Sequence, residues 1–232
     1  MTEFAITPNP PVTLPVHGSN ALFPVAQIYC VGRNYADHAI EMGHNPDREA
    51  PFFFMKPRYA VLPEGGDMGY PDHTRDLHHE VELVVALSKG GRNVSVEDAS
   101  SMIFGYSVGI DFTRRDLQGE AKEKGRPWEA GKTFVHAAPL APITPITESG
   151  ELNEGSISLS VNGDVRQSGN INQMIWKVPE VISRISDLFC LEPGDLIFTG
   201  TPAGVGAVTP GDVLEASVPG LHDLSVTLTG TL

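Results

Sequence analysis

The stretch LHHEVELVVAL, residues 77–87, alternates polar and apolar side chains and stops just before Gly90-Gly91. A period of two marks a β-strand, and the aliphatic content from Val81 to Leu87 marks an interior one. Within it Glu80 and Glu82 stand two apart, so both carboxylates point to the same face. Interior carboxylates are costly to bury unpaired, and two neighbours repel each other. Either arginines pair with them or a cation sits between them. An edge strand with an acidic solvent face accounts for the two glutamates equally well.

A second apolar run, Met102–Ile110, ends at Asp111 and shifts that balance, because functional groups often protrude where a strand ends. Three carboxylate oxygens suit a hard divalent ion such as Mg²⁺, whose octahedron leaves positions for water and a chelating substrate. No Cys/His set with zinc spacing competes with Glu80, Glu82 and Asp111. Helical sequence follows at once: Thr113 fits an N-cap with acidic Asp116 three residues on, and Gly125 stops the helix after about Lys124. On it Arg115 and Gln118 share a face that looks back toward Asp111, suited to holding a carboxylate or keto oxygen. Arg114, Glu120, Lys122 and Glu123 read as its solvated side.

Three further residues carry weaker signals. His38 and Glu41 lie three apart on a short helix expected over Tyr35–Met42 and stopped by Gly43. A carboxylate beside an imidazole fixes its tautomer and raises its basicity, as activation of a water requires. Such a pair is also a common surface contact. Lys132 reads either as a surface lysine at a turn or as a cation that stabilises a developing oxyanion.

Outward from these segments the chain is rich in turns. SISLSVNGDVRQSG has Asn162-Gly163 between alternating arms and predicts a hairpin. Pro179 opens a helix with an apolar stripe of Val181, Ile182, Ile185, Leu188 and Phe189. Short strands divided by Pro193-Gly194, Pro210-Gly211 and Pro219-Gly220 fill the remainder. The segment AVLPEGGDMGYPDHTRD reads as loop, and the proline-spaced AAPLAPITPITE cannot be a helix. Residues 1–24 read as a Pro-rich surface arm leading into a strand at Gln27–Val31. The expectation is an α+β class, β-rich, with one domain over 25–232.

Composition excludes several functions. The chain has 232 residues and a net charge of −13, with 41% hydrophobic and 19% charged residues. That is a globular balance, and its acidity argues against nucleic acid or an anionic membrane as partner. Cys30 and Cys190 make no CxxC pair and read as buried reduced thiols of a cytoplasmic protein. The opening MTEFAITPNPPVTLPV lacks a basic region and an unbroken apolar run, so no targeting signal is expected. No run approaches the length of a membrane span.

Two glycine-rich strings invite a nucleotide reading and fail it. Gly131-Lys132-Thr133 resembles the end of a phosphate loop, but Arg126 stands where that motif needs its first glycine. TGTPAGVG at 199–206 lacks the strand–helix frame of a dinucleotide site.

Taken in order, YCVGRNYADHAIEMG, PFFFMKP, LHHEVELVVAL, GIDFTRRDLQ, GKTF, VNGDVRQSGN and PGDLIFTGTPAGVG resemble the fumarylacetoacetate hydrolase family from about Ile28 to the C-terminus. The resemblance implies a mixed β-roll with short peripheral helices, a homodimer and a Mg²⁺ or Mn²⁺ site. It puts the metal on Glu80, Glu82 and Asp111, and a His–Glu dyad of a mobile lid helix on His38 and Glu41. Arg115, Gln118, Lys132 and Thr201 fall on substrate-holding positions, with Arg33 and Lys56 also matching.

The length and GRPWEAGKTF are most similar to the branch that splits 3-fumarylpyruvate in gentisate breakdown. The implied reaction is hydrolysis of the C3–C4 bond of a 3-acylpyruvate, a small keto acid. Oxaloacetate decarboxylation and dienoate isomerisation or decarboxylation are the alternatives. One departure stands out: relatives usually carry Ala-Lys-Ser or Ala-Lys-Gly where this chain has Gly131-Lys132-Thr133. Arg33, Lys56 and Arg126 are the candidates for holding a second substrate carboxylate.

Overall fold

Val81–Leu87 is buried at every position, which requires cover on both faces and a neighbour on each side. The alternation expected from the sequence therefore gives way to a run with no solvent face. A computed structural model describes residues 4–36 and 49–231, and in it this strand, β8, lies inside a mixed sheet. On one side β8 pairs antiparallel with β15 (Leu196–Phe198), which runs parallel to β3 (Ile28–Gly32). The edge strand β4 (Phe52–Lys56) completes that side, antiparallel to β3. On the other side β8 pairs antiparallel with β9 (Ile103–Ile110). There β9 carries β12 (Thr144–Pro145) and β11 (Ala138–Leu140), and β11 runs parallel to β5 (Val61–Pro63).

A second sheet has the order β14 (Asp164–Asn170), β13 (Ser156–Val161), β17 (Val213–Ser217), β18 (Leu224–Thr231) and β6 (Gly66–Tyr70). Asn162 and Gly163 both have positive φ, 54° and 84°, as the two-residue turn between β13 and β14 demands. A third, small sheet sets β7 (Leu77–His79) between β10 (Thr113–Arg114) and β16 (Gly206–Val208). The class is α+β, strand-rich with short helices, as the sequence implies.

The expected strand 77–87 is thus two strands that join different sheets, β7 and β8, with the break at Glu80. The β8–β9 ladder ends at Val81 opposite Ile110, and the β7–β10 ladder resumes at His78 opposite Thr113. Between them the Asp111 N–H donates to the Glu80 carbonyl at 2.8 Å. This handover sets carboxylates from both strands at one seam.

Other expectations change in detail. Within the supposed surface arm, β1 (Thr13–Pro15) and β2 (Leu22–Pro24) form a ribbon that buries Leu14 and Phe23 in the core. Its prolines fall in a two-stranded ribbon, where a missing N–H is tolerated. The supposed loop after Ala60 contains β5 and β6, with Met68 fully buried. After Pro145 one helical turn forms, α4 (Ile146–Ser149), preceded in the chain by α1 (Val96–Ala99), α2 (Arg115–Glu123) and α3 (Glu129–Lys132). In α5 (Val178–Leu188) Val181, Ile182 and Ile185 are buried, whereas Leu188 at the last turn is exposed. Cys30 is buried but Cys190 is exposed. Among the described residues no helix is long and apolar enough to cross a membrane.

Asp195 ties the start of β3 to the turn before β15. Its carboxylate accepts the Gln27 N–H at 3.1 Å and the Glu192 N–H at 2.8 Å. Burial outweighs these bonds and raises its pKa from 3.8 to about 6. The folded state therefore binds the extra proton, so this group's stabilisation is full below its unfolded pKa and lost as pH rises toward 6. Denaturant melts of wild type and Asp195→Asn at about pH 4 and about pH 7 should show wild type losing ground to the variant as pH rises. A difference that stays level would contradict this.

Candidate functional site

Glu80, Glu82 and Asp111 are all buried, and one oxygen from each lies within 4.8 Å of the others. Octahedral coordination at about 2.1 Å places ligand oxygens about 3–4 Å apart, so the trio reaches a Mg²⁺- or Mn²⁺-sized ion with a slight inward shift. The donor set, three carboxylates without sulfur or imidazole, is that of a hard divalent cation. The trio fits the implied metal.

Among the described residues three cations surround the acids. Lys132 Nζ bridges Glu80 Oε2 at 2.9 Å and Asp111 Oδ2 at 2.6 Å. Lys56 Nζ reaches Asp111 Oδ1 at 2.8 Å, and the Arg115 guanidinium pairs with Glu80 Oε1. Glu82 is held differently, by the Gly200 N–H on its Oε2 at 2.6 Å. Burial, then the charges of Asp111 and Glu80, push the Glu82 carboxyl well above the usual range. For Lys132 burial works toward the neutral form, but Asp111 and Glu80 outweigh it and its pKa is raised. Lys132 is therefore a firm cation, suited to stabilising negative charge rather than taking a proton.

Local sequence explains these placements. The turn after β15 lets Gly200 aim its N–H at Glu82, because its φ of +99° and its contact with Asn34 leave no room for a side chain. Asn34 holds the same turn by donating to the Thr199 carbonyl at 2.8 Å and the Trp176 carbonyl at 2.9 Å. Gly131 packs on Gln118, whose Cβ and backbone would lie 2.7–2.9 Å from an added Cβ. The Gly-Lys-Thr departure thus lets α3 sit tightly against α2 and carry Lys132 into the interior. Thr113 does not cap α2 as expected: its hydroxyl donates to Glu80 Oε1 at 3.0 Å, and Asp116 instead accepts from Thr74 at 2.7 Å.

One cleft brings the expected residues together. It holds about 490 Å³ including the solvent at its mouth, and Glu80, Glu82, Asp111, Arg115, Gln118, Lys132, Thr201 and Arg33 all line it. Arg115 Nη1 donates to Gln118 Oε1 at 3.2 Å, which leaves the Gln118 amide N–H₂ for a ligand. His38 and Glu41 lie outside the described residues. Lys122, read from sequence as solvated, lines the same cleft near Arg33 and Arg115; burial first, then those charges, lower its pKa. Arg126 is removed from it, its side chain 64% exposed beside Glu120. Lys56, fully buried on Asp111, serves the acid trio rather than a far end of the cleft. The only hint of that in the sequence is a lysine closing the apolar run PFFFM.

Comparison with known proteins agrees with this geometry. Residues 27–229 match the fumarylacetoacetate (FAA) hydrolase C-terminal family. The crystal structure of fumarylpyruvate hydrolase from Pseudomonas aeruginosa, in complex with Mn²⁺ and pyruvate, superposes with a TM-score of 0.96 at 48% identity, covering 98% of this chain and 99% of that one. Fumarylpyruvate hydrolase of a Ralstonia species is 42% identical over 81% of this chain and 98% of its own. Mitochondrial oxaloacetate decarboxylase of Dictyostelium discoideum is 43% identical over 84% of this chain and 89% of its own. With the domain matched almost end to end, the chain belongs to the fumarylacetoacetate hydrolase family.

Proposed function

We propose that this protein is a divalent-metal hydrolase that cleaves the C3–C4 bond of 3-fumarylpyruvate to give fumarate and pyruvate. The observation that carries the reading is the buried Glu80–Glu82–Asp111 trio opening into a cleft lined by Lys132, Arg115, Gln118 and Thr201. Two fumarylpyruvate hydrolases at 42% and 48% identity support the substrate. The resemblance supports a cytoplasmic homodimer acting in gentisate breakdown, with residues 25–232 as one catalytic domain.

Glu80, Glu82 and Asp111 would hold Mg²⁺ or Mn²⁺, which would supply Lewis-acid polarisation of the keto-acid substrate. The chain's own residues do the rest. Thr201 and the Gln118 amide hold the pyruvyl end, with Arg115 fixing the amide's orientation. His38, oriented by Glu41, takes a proton from water, whose oxygen bonds to C4. Lys132 stabilises the negative charge that develops on the C4 oxygen. The C3–C4 bond then breaks with its electron pair on C3, which takes back the proton held by His38 to become the methyl group of pyruvate.

Arg33 and Lys122 face the outer cleft and suit the second carboxylate, at the fumaryl end. Lys122→Met should raise KM for 3-fumarylpyruvate roughly fivefold and leave 3-acetylpyruvate, which lacks that carboxylate, unchanged. Equal losses on both substrates would remove Lys122 from this role.

The oxaloacetate decarboxylase at 43% identity favours a second reading, in which the same keto-acid grip releases CO₂. Proton NMR of the products separates the two. The proposal expects equimolar fumarate and pyruvate from 3-fumarylpyruvate, formed faster than pyruvate from oxaloacetate. The opposite order supports the decarboxylase.

A further inference from the structure

Gln167, on β14 and outside the cleft, is fully buried between His79 and Thr201. Its side-chain oxygen accepts the Val81 backbone N–H at 3.0 Å. A backbone N–H can only donate, so the amide has one permitted orientation. Its nitrogen then donates to the Pro202 carbonyl at 2.9 Å and to Thr201 Oγ1 at 2.7 Å. His79 Nδ1 lies 2.9 Å from the same side-chain oxygen, which makes Nδ1 the protonated nitrogen.

The consequence falls on Thr201. With one lone pair taken by the Gln167 amide, its hydroxyl proton is directed away from Gln167, and Thr201 lines the cleft. We infer that Gln167 is a positioning residue that sets the Thr201 hydroxyl as a donor to a ligand carboxylate, in a chain begun by His79. The close contacts of the turn fit this purpose. Gly204, at φ +95°, lies so near the Arg166 carbonyl that an added Cβ would stand 2.1 Å from it. The turn is thereby pressed onto β14 at Gln167, and Gly204 serves that approach rather than a phosphate.

This inference rests on the keto-acid reading, and oxalate, a pyruvate analogue, is the probe. In wild type the imidazole ¹⁵N shifts of His79 should report the Nδ1–H tautomer, a measurement that needs no variant to fold. An Nε2–H tautomer would reverse the amide and overturn the inference. Calorimetry on the Mn²⁺-loaded protein should show Thr201→Val losing roughly tenfold in oxalate affinity and Thr201→Ser retaining it. Gln167→Glu, whose carboxylate would accept the Thr201 proton, should lose as much alone and nothing further in the Thr201→Val background. With 3-fumarylpyruvate both losses should appear in KM more than in kcat. A Gln167→Glu loss of equal size in both backgrounds overturns the inference alone. A wild-type protein that binds no oxalate overturns the keto-acid reading and the ligand assigned to Thr201, whatever the His79 tautomer.

Discussion

Glu82→Ala should weaken Mn²⁺ binding by more than about a hundredfold and lower turnover of 3-fumarylpyruvate by on the order of 10³ or more. Both losses follow from the place of Glu82 in the trio. Glu80 and Asp111 each have lysine or arginine partners, whereas Glu82 is held by the Gly200 N–H. Burial and its two acidic neighbours raise its pKa, so an incoming ion competes with a proton for its carboxylate. Mn²⁺ affinity should therefore fall as pH falls. Glu82→Gln, which can still accept the Gly200 N–H, serves as the folding control, expected to melt like wild type without binding the ion. Calorimetric titration reads all of this, and a full-affinity Glu82→Ala protein would remove the residue from the metal set.

His38→Ala separates chemistry from metal binding. Loss of a general base costs roughly 10²–10⁴-fold in rate, so kcat on 3-fumarylpyruvate should fall by about 10³ while Mn²⁺ affinity stays near wild type. Oxaloacetate decarboxylation needs no water nucleophile and should survive. If the variant keeps its hydrolase rate, His38 is not the base that activates water.

The acid trio was legible because strand alternation fixes which side chains share a face, and because an apolar run ending in aspartate marks a strand terminus. What the sequence could not show is where one strand becomes two. Glu80 continues the local pattern of LHHEVELVVAL, and only pairing with β9 and β10 reveals the handover at that residue. Thr113 illustrates the same limit: its spacing to Asp116 fits a cap, yet the buried Glu80 carboxylate, a stronger acceptor, takes its hydroxyl. Lys122 follows Gln118 by four residues and Arg115 by seven, so helical spacing sets it on their face, and only its residue type suggests a solvated position. Lys56 and Gln167 act on residues far along the chain, a proximity that periodicity does not encode. The β1–β2 ribbon is not legible in the sequence, because three-residue strands carrying proline leave too short a pattern to count.

Metal-dependent hydrolysis is tested most directly by following the ultraviolet absorbance of 3-fumarylpyruvate with protein stripped by chelator and then titrated with Mn²⁺. No loss of substrate is expected in chelator, with turnover restored in proportion to Mn²⁺ up to one ion per chain. Undiminished hydrolysis by the stripped protein would contradict it.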